Sequence, residues 1–361
     1  MIKYGLSGCG YFGAEIGQII AKLPDARLVC CTSPGKTGKL FAQKMHIPHY
    51  TDYDSFLHHP DMDAVIIASP NNLHAEQFIK ASQAGKNIYI EKPFALSAKD
   101  ASAMINSANK SGITFMVGHI LHFYPRIRQT CALLNKAGPE SLGPIIHIHT
   151  ERTGWEEQKD CVSWKKMKAV SGGHLFHHIH EIDLVQYFAG EASEIFCFAD
   201  NLAHKEKDFD DEDDVLLLTI RHKNGAYSTM QYGSAFRFSN HFVRINCRNG
   251  GIILDFQNNL YTVSINGEVK TEPFFDKDET QSIEIYKQRG GGAGYGSPGQ
   301  KIPQYLLNVL EKELICFHSA LTTKNIPVEF SDLFDGSSAF KSVRTASGAM
   351  RSAKTKQPII I

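Results

Sequence analysis

Residues 6–13 read LSGCGYFG, and this stretch decides the fold. It places three glycines directly after the apolar run Ile2–Ser7 and at the start of a helical pattern over Phe12–Lys22. In a G-x-G-x-x-G motif, the first glycine allows a tight turn, the second lets the backbone approach a pyrophosphate, and the third lets the helix pack closely on the strand. Backbone amides at the helix start then face the phosphates. The stretch predicts a dinucleotide site formed by Gly8, Gly10, Tyr11, Phe12 and Gly13.

The same alternation of strand and helix continues through the first 118 residues. Further strands are predicted at Arg27–Thr32, Ala64–Ser69, Asn87–Ile90 and Thr114–Val117, and further helices at Gly38–Met45, Leu73–Ala84 and Ala98–Lys110. Strict alternation is typical of a parallel sheet covered on both faces. Residues 1–120 are therefore predicted to form an α/β dinucleotide-binding domain.

The pattern changes after about residue 120. A helix over Tyr124–Lys136 and a strand over Ile145–Glu151 are followed by two alternating runs, Val215–Ile220 and Ala226–Gln231. The link between these runs contains Asn224-Gly225, a strong signal for a tight antiparallel turn. Residues 121–361 are therefore predicted to be an α+β domain with a mostly antiparallel sheet, whose C-terminal segment can pack back on the first domain.

Two segments of the second domain have unusual composition. The acidic run Asp208–Asp214 predicts a solvated loop rather than a metal site. The stretch Gly290–Gly299 cannot hold regular structure, and it fits either a linker or a mobile loop near a ligand.

Charge and composition narrow the class of partner. Lys plus Arg and Asp plus Glu are both 38, so no field of one sign favours nucleic acid or an anionic membrane. The eight cysteines show no paired spacing, which is typical of free thiols in a reducing compartment. No basic and apolar leader and no membrane-length apolar run is present. A cytoplasmic protein with a small, largely neutral ligand is predicted.

The second strand bears on the choice of cofactor. A Rossmann domain usually places an acid about 20 residues after the glycine motif, where it binds the adenosine ribose. Here the strand ends at Cys31-Thr32-Ser33, and Lys36 and Lys39 follow. Two lysines and no carboxylate can accommodate a 2′-phosphate, so the pattern slightly favours NADP over NAD and places Ser33 at the cofactor.

Two further motifs follow strands of the first domain. The first is Ser69-Pro70-Asn71-Asn72-Leu73-His74, and the second is Glu91-Lys92-Pro93. Together with the glycine motif they resemble the Gfo/Idh/MocA oxidoreductases, the glucose-fructose oxidoreductase and inositol dehydrogenase group. Glu212-Asp213-Asp214 before a strand and the ending Ala339–Ile361 resemble it too, so the resemblance covers essentially the whole chain.

The resemblance implies a Rossmann domain that binds a nicotinamide cofactor and a C-terminal domain with a large open sheet. In this family that sheet often forms the oligomer interface, so a homodimer or homotetramer is expected. The resemblance adds Ser69, Pro70, Asn71, His74, Glu91, Lys92 and Pro93 to the cofactor-binding residues.

Lys92 is implied to point at the reacting hydroxyl. A lysine that ends a strand of a parallel sheet lies at the carboxyl edge, where ligands bind. A cation there would polarise the substrate oxygen and stabilise the alkoxide that precedes hydride loss. The competing interpretation is an exposed lysine at a strand end.

Residues 171–183 read SGGHLFHHIHEID, with four histidines in thirteen positions. Apolar residues at helical spacing predict one helix over His174–Phe188. At about 100° per residue, His180 and Asp183 would share one side while His174, His178 and Glu181 lie on the opposite side. No metal site is predicted, although His174 with His178, or His177, could pair with Glu181 around an ion.

The tail His180-Glu181-Ile182-Asp183 is similar to the HEID of inositol dehydrogenases, in which the histidine is the general base. The resemblance implies that His180 takes the hydroxyl proton, and an imidazole pKa near about 6.5 suits that task. That group has an aspartate four residues earlier, where this chain has Phe176. Asp183 or His177 must then orient or neutralise His180, so Lys92, His180, His177 and Asp183 are the predicted catalytic residues.

Four other side chains are predicted to bind substrate along with Lys92 and His180. His122 stands where many relatives have arginine, and His119 precedes it near the expected nicotinamide end. Trp155 and Trp164 precede the histidine segment, and an indole face suits the apolar face of a sugar ring. For each tryptophan, an alternative interpretation as a residue of the hydrophobic core is about equally good.

The resulting prediction is an NAD(P)-dependent oxidoreductase that interconverts a secondary alcohol and a ketone on a sugar, glycoside or cyclic polyol. An alternative is a glycoside-cleaving enzyme that keeps its cofactor and oxidises the sugar transiently. A third class, the nucleotide-sensing regulator, is disfavoured by the presence of both Lys92 and His180.

Overall fold

The computed structural model describes residues 1–138, 140–157, 164–205, 211–275, 277–281 and 302–361. The stretch Gly290–Gly299 and the start of the acidic run, residues 208–210, lie outside these ranges. The chain divides into two units. The first unit is Met1–Ile120 with the described part of Gly294–Phe340, and the second is the described part of Leu121–Ala293 with Lys341–Ile361.

The first unit contains a six-stranded sheet in which every neighbouring pair is parallel. Its strands are β1 (Ile2–Ser7), β2 (Ala26–Thr32), β3 (His49–Tyr50), β4 (Ala64–Ile67), β5 (Asn87–Glu91) and β6 (Phe115–Gly118), in the order β3-β2-β1-β4-β5-β6. The order reverses beside β1, which has β2 on one side and β4 on the other. Ligands of such sheets bind at this reversal, beyond the carboxyl ends of the strands.

The helices confirm most of the sequence prediction. In chain order they are α1 (Tyr11–Ile20), α2 (Gly35–Met45), α3 (Tyr53–Leu57), α4 (His74–Gln83), α5 (Ala98–Ser111), α6 (Pro125–Leu134), α7 (Lys168–Ser171), α8 (His174–His177), α9 (His180–Ala189), α10 (Gln304–Thr323), α11 (Ser331–Phe334) and α12 (Ser337–Thr355). The short elements β3 and α3 were not predicted, because neither contains a long apolar run.

The second unit contains a nine-stranded sheet. Its strands are β7 (Ile145–Trp155), β8 (Ala192–Asp200), β9 (Val215–His222), β10 (Tyr227–Gly233), β11 (Ala235–Cys247), β12 (Gly250–Asp255), β13 (Leu260–Ile265), β14 (Glu268–Pro273) and β15 (Ile359–Ile360), in the order β14-β13-β12-β11-β7-β10-β9-β8-β15. Among the described strands of this sheet only β7 and β10 pair in parallel, so the prediction of a mostly antiparallel sheet is confirmed. The β9–β10 hairpin turns at Gly225, with φ +90°.

The histidine segment differs from its prediction. The single helix predicted over His174–Phe188 is two helices, α8 and α9, separated at His178, which has φ −109° and ψ 44°. The apolar residues Leu175, Ile179 and Ile182 are buried on both sides of the break. Hydrophobic spacing is therefore the same for one helix or two, and a single helical wheel does not apply across the break.

Among the described residues, no helix is long and apolar enough to cross a membrane.

Candidate active site

The glycine motif forms a turn that only glycine fits at two positions. Gly8 has φ +94°, and a Cβ there would lie 2.4 Å from the carbonyl oxygen of Ala68. A Cβ on Gly13 would lie 1.9 Å from the carbonyl oxygen of Gly8. The turn between β1 and α1 therefore depends on the backbone of both residues, as the motif predicts.

The start of α1 fits the pyrophosphate of a dinucleotide. A Cβ added to the exposed Gly10 meets no atom within 4 Å, so the space beside this backbone is open. Gly10 is the N-cap residue, no side chain caps the helix, and the first turn contains no acidic residue. An uncapped, uncharged helix start presents amides and a partial positive charge to an anion.

The turn after β2 carries the residues relevant to cofactor choice. Ser33 is half-buried, and its carbonyl oxygen lies 2.9 Å from Nε2 of His49. Lys36 and Lys39 are exposed. The turn is thus held by its backbone, while its two ammonium groups face solvent.

The segments that follow β4 and β5 are tied together by His74. Its buried ring places Nδ1 2.8 Å from the carbonyl oxygen of Pro93 and Nε2 3.0 Å from that of Ser69. Burial lowers the pKa of His74, and the Lys92 cation lowers it further. The Lys92–Pro93 peptide is cis. A neutral imidazole carries one N–H, so His74 donates to one of these two carbonyl groups while its other ring nitrogen lies beside the second, and the ring contacts both motifs.

The first motif is also braced against β1. Ser69 Oγ and Ser7 Oγ both donate to Oε1 of Gln77, at 2.7 and 2.9 Å. Asn71 is 5% exposed and Pro70 precedes the turn Asn71–Leu73 that leads into α4. These contacts hold the loop at the carboxyl edge of β1 and β4.

Lys92 directly follows Glu91, a predicted cofactor-binding residue that has two partners, Tyr89 and Glu313, which no motif indicated. The Tyr89 hydroxyl lies 3.1 Å from Oε1 of Glu91 and 3.0 Å from Oε2 of Glu313 on α10. Burial raises the pKa of Glu91 to about 7, against the opposing effect of Lys92 and of the Tyr89 hydrogen bond. The signal for Glu313 was present: it lies on the buried face of α10 with Val309, Leu310 and Phe317.

In the second unit, Asp183 is bound by residues from two other elements. Nε2 of His122 lies 2.5 Å from Asp183 Oδ2, and Ser342 Oγ donates to Oδ1 at 3.1 Å. The His122 ring also packs against Tyr187, with centroids 4.3 Å apart. Two predicted site residues, His122 and Asp183, are thus brought together, and His180 begins the helix that carries Asp183. Orientation of His180 by Asp183 or His177 stays a prediction.

Glu181 has a structural role as a buried anion. Arg152 Nη1 donates to its Oε1 at 3.0 Å, and His241 Nε2 lies 2.8 Å from the same atom. Burial alone would raise the pKa of Glu181, but the Arg152 charge and the His241 hydrogen bond lower it to about 2. Glu181 is therefore ionised at neutral pH and neutralised by its neighbours.

The described end of the acidic run is buried, so its interpretation as a solvated loop is wrong for Glu212, Asp213 and Asp214. Lys166 Nζ lies 2.7 Å from Glu212, and Asp214 accepts the backbone amides of residues 202–204 at 2.8–2.9 Å. The compensating groups come from other segments, which the charge run itself does not reveal.

The remaining predicted site residues occupy separate environments. His177 lies edge-on to Trp164, with centroids 6.4 Å apart, and both are half-exposed. The Trp155 ring is covered by the Arg237 guanidinium at 3.4 Å. His119 follows β6 in the first unit and is 1% exposed. Neither tryptophan is buried core, and Trp164 is the one beside a histidine of the predicted catalytic set.

Within the described ranges, no group of three or more His, Cys, Asp or Glu side chains is arranged to hold a metal ion.

Two family models together match nearly the whole chain. One, described as an oxidoreductase family with an NAD-binding Rossmann fold, matches residues 2–119. The other, described as the C-terminal alpha/beta domain of the same oxidoreductase family, matches residues 138–361.

Curated relatives match over the full length. The 2,7-anhydro-N-acetylneuraminate hydratase of Escherichia coli is 35% identical over 100% of this chain and 97% of its own. A protein with the same name from Mediterraneibacter gnavus is 34% identical over 97% of this chain and 94% of its own. Among solved structures, levoglucosan dehydrogenase in complex with NADH and levoglucosan covers 100% of this chain and 99% of its own, with a TM-score of 0.81 and 19% identity. That likeness shows the fold.

Proposed function

The chain belongs to the Gfo/Idh/MocA oxidoreductases, and from that premise we propose that it oxidises a hydroxyl-bearing carbon of a carbohydrate or cyclic polyol. One observation carries the proposal. The glycine turn after β1 and the Lys92 segment after β5 lie at the same edge of one parallel sheet, the edge at which such sheets bind ligands.

The residues that would hold the dinucleotide are those of the glycine turn, with Ser33 at the adenosine end and the Ser69–His74 and Glu91–Pro93 segments at the nicotinamide end. When bound, the nicotinamide supplies the hydride acceptor and donor. The two exposed lysines after β2 favour NADP over NAD. Comparison of the dissociation constants of NAD⁺ and NADP⁺ checks this preference.

In the proposed chemistry, Lys92 places its ammonium against the substrate oxygen. A cation there stabilises negative charge as the hydroxyl proton leaves. His180 takes that proton and returns it in the reverse direction, because an imidazole can hold or release a proton near neutral pH. Trp164, half-exposed beside His177, is the proposed contact for the apolar face of the sugar.

A second candidate is redox-neutral opening of an anhydro-sugar, which the two full-length hydratase relatives favour. Transient oxidation of a hydroxyl to a ketone, with the hydride held on the nicotinamide, would acidify the neighbouring C–H. Removal of that proton by a base would form a C=C bond and expel the oxygen on the next carbon. Addition of water and reduction of the ketone then complete a hydration. The histidines near α9 supply acid and base groups beyond the single pair that plain oxidation needs.

A substrate screen distinguishes the two candidates. Sugars, polyols and anhydro-sugars are incubated with each nicotinamide, while reduced-cofactor absorbance and product mass are followed. Plain oxidation produces reduced cofactor in proportion to product. Hydration gives a product heavier than the substrate by one water, and it needs only a catalytic amount of cofactor. Turnover of no such compound by either route would contradict the proposal.

Substitution of the two proposed catalytic residues tests the site. We expect Lys92→Ala and His180→Ala each to reduce turnover about 1000-fold, because each removes a group that acts on the transferring proton or the oxygen charge. Cofactor dissociation constants should change by less than about threefold. Lys99→Ala and His58→Ala, at exposed positions, are matched controls that should retain activity. Loss of cofactor binding in K92A or H180A would assign those residues a different role.

A further inference from the structure

Three side chains of the first unit form a series of hydrogen bonds that ends at the residue before Lys92. Tyr89 and Glu91 lie on β5, and Glu313 lies on α10. The Tyr89 hydroxyl is within hydrogen-bond distance of both carboxyl groups, at 3.1 Å from Glu91 and 3.0 Å from Glu313. Tyr89 and Glu313 are both 0% exposed, whereas Glu91 is partly exposed.

The number of hydrogen atoms available determines which group donates in each of these hydrogen bonds. A tyrosine hydroxyl carries one hydrogen, so it can donate to only one of the two carboxyl groups. The other carboxyl group can bond to the tyrosine oxygen only as a donor, and it must then be protonated. The two acids together therefore hold a proton, and the question is which of them holds it.

The surroundings assign the proton to Glu313. It is fully enclosed, and its Oε1 has no hydrogen-bond partner among the described residues. An ionised carboxylate so placed would be a buried charge with incomplete solvation. Glu91, in contrast, is partly exposed and next to the Lys92 cation. Burial, and then the charge of Glu91, raise the pKa of Glu313 well above its usual range, in agreement with this assignment.

Among the described residues, β6 and α10 place uncharged groups against these three side chains. From β6, the backbone of Gly118 packs under the pair: a Cβ there would lie 2.5 Å from the Tyr89 hydroxyl and 3.2 Å from Glu91 Oε1. From α10, the Phe317 ring packs on Tyr89, with centroids 5.9 Å apart. The titratable groups that act on the two acids are thus each other, Tyr89 and Lys92.

We propose that Glu313 is a positioning residue that, as a neutral acid, donates to Tyr89, which in turn donates to Glu91 and holds it as the carboxylate beside Lys92. The consequence for catalysis rests on the proposed function, because it assumes that Lys92 contacts the substrate oxygen. The location of the proton does not rest on it.

Infrared spectroscopy of the full-length protein without substrate tests the proton assignment. The C=O stretch of a protonated carboxylic acid is separate from the bands of a carboxylate. We expect the wild type to show this band at about pH 8, above the Glu91 pKa of about 7. The band should be absent from Glu313→Gln and present in Glu91→Gln. Its absence from the wild type, or its loss in E91Q alone, overturns the proposal.

The pH dependence of kcat/KM tests the positioning role. Glu313→Gln keeps a donor for Tyr89 and should retain the wild-type profile. Tyr89→Phe removes the donation to Glu91, whereas Glu313→Leu removes only the donation to Tyr89 and leaves that hydroxyl a weaker, less oriented donor to Glu91. Because Glu91 is a weaker acid when its hydrogen bond from Tyr89 is lost or weakened, we expect the acidic limb to move upward by about one pH unit in Y89F and by a smaller amount in E313L. Unfolding midpoints and cofactor dissociation constants show whether the variants fold.

An unchanged profile in either E313L or Y89F overturns the positioning role. Since the infrared result needs no substrate, a failure of this inference is distinguishable from a failure of the proposed function.

Discussion

Glutamates in the two units have opposite acid–base behaviour. In the first unit, burial raises the pKa of Glu91 to about 7 and raises that of Glu313 well above its usual range. In the second unit, the pKa of Glu181 is about 2, and that of Glu212 is also lowered. Glu181 and Glu313 are both 0% exposed, so the extent of burial does not explain the difference.

The difference comes from the partners. Glu181 accepts hydrogen bonds from Arg152 and His241, and Glu212 pairs with Lys166. Glu313 is bound by the Tyr89 hydroxyl, which has no net charge. Burial penalises the charged form in both places, but only a neighbouring cation offsets that penalty. One region therefore holds a proton at neutral pH, and the other holds a negative charge.

The largest expected effect comes from the same substitution made in both units. Glu181→Gln leaves Arg152 without its anion, and we expect it to lower the free energy of unfolding by about 3 kcal/mol. Glu313→Gln replaces one neutral donor by another and should cost less than about 1 kcal/mol. Urea unfolding of both variants measures the difference. Equal losses would mean that the two glutamates have the same charge in the folded protein.

A smaller effect is expected in the pH dependence of stability. An acid whose pKa is raised on folding binds more protons in the folded state, so stability falls as pH rises from its unfolded pKa, about 4.3, to its folded pKa. For Glu91 this window runs from about 4.3 to its folded value of about 7. The melting temperature of Glu91→Gln relative to the wild type should therefore rise between about pH 5 and about pH 7.

Glu181 provides the opposite case for that measurement. Because the pKa of Glu181 is lowered on folding, its contribution to the stability of the folded protein is complete above about pH 4.3 and is lost only as pH falls toward about 2. The melting temperature of Glu181→Gln relative to the wild type should stay constant from about pH 5 to about pH 8. A difference that varies with pH for E181Q, or a constant one for E91Q, would contradict the assigned charges.

The smallest effect is expected at an exposed pair. The pKa of Glu140 is lowered by its hydrogen bond to Lys136, but both side chains lie at the surface. Solvent and salt screen such pairs, so Glu140→Gln should not change the unfolding midpoint measurably. A loss of stability as large as that of E181Q would show that the attraction to the cation, rather than burial of the anion, determines the cost of removing the carboxylate.

Much of the fold could be predicted because its signals are local. Each strand of the parallel sheet except β3 is an apolar run, and the β9–β10 turn is marked by Asn224-Gly225. The break at His178 was missed because periodicity reports which side chains are buried and not whether the backbone is continuous. The buried acids at 212–214 were missed because their partners are distant in sequence.

The candidate site shows the same limit. Motifs located the glycine turn and Lys92, and membership of the oxidoreductase family confirms the predicted class of enzyme. The individual roles of Lys92 and His180 stay predictions. Tyr89 and Glu313 have no motif, and they meet across 224 positions, so sequence spacing could not join them. The sequence signal for Glu313 was an acidic residue within the apolar face of α10.

The glycine turn has a consequence for how this chain can vary. Gly13 is restricted by the carbonyl oxygen of Gly8, and Gly8 is restricted by the carbonyl oxygen of Ala68. A side chain at position 13 is tolerated only if the peptide at position 8 rotates, and that rotation would move the start of the helix. The two positions are thus epistatic, and in a saturation library selected for folding the residues tolerated at position 13 should depend on the residue at position 8. Gly10 has open space beside it, so it should vary independently in that library and be restricted only when the library is selected for cofactor binding.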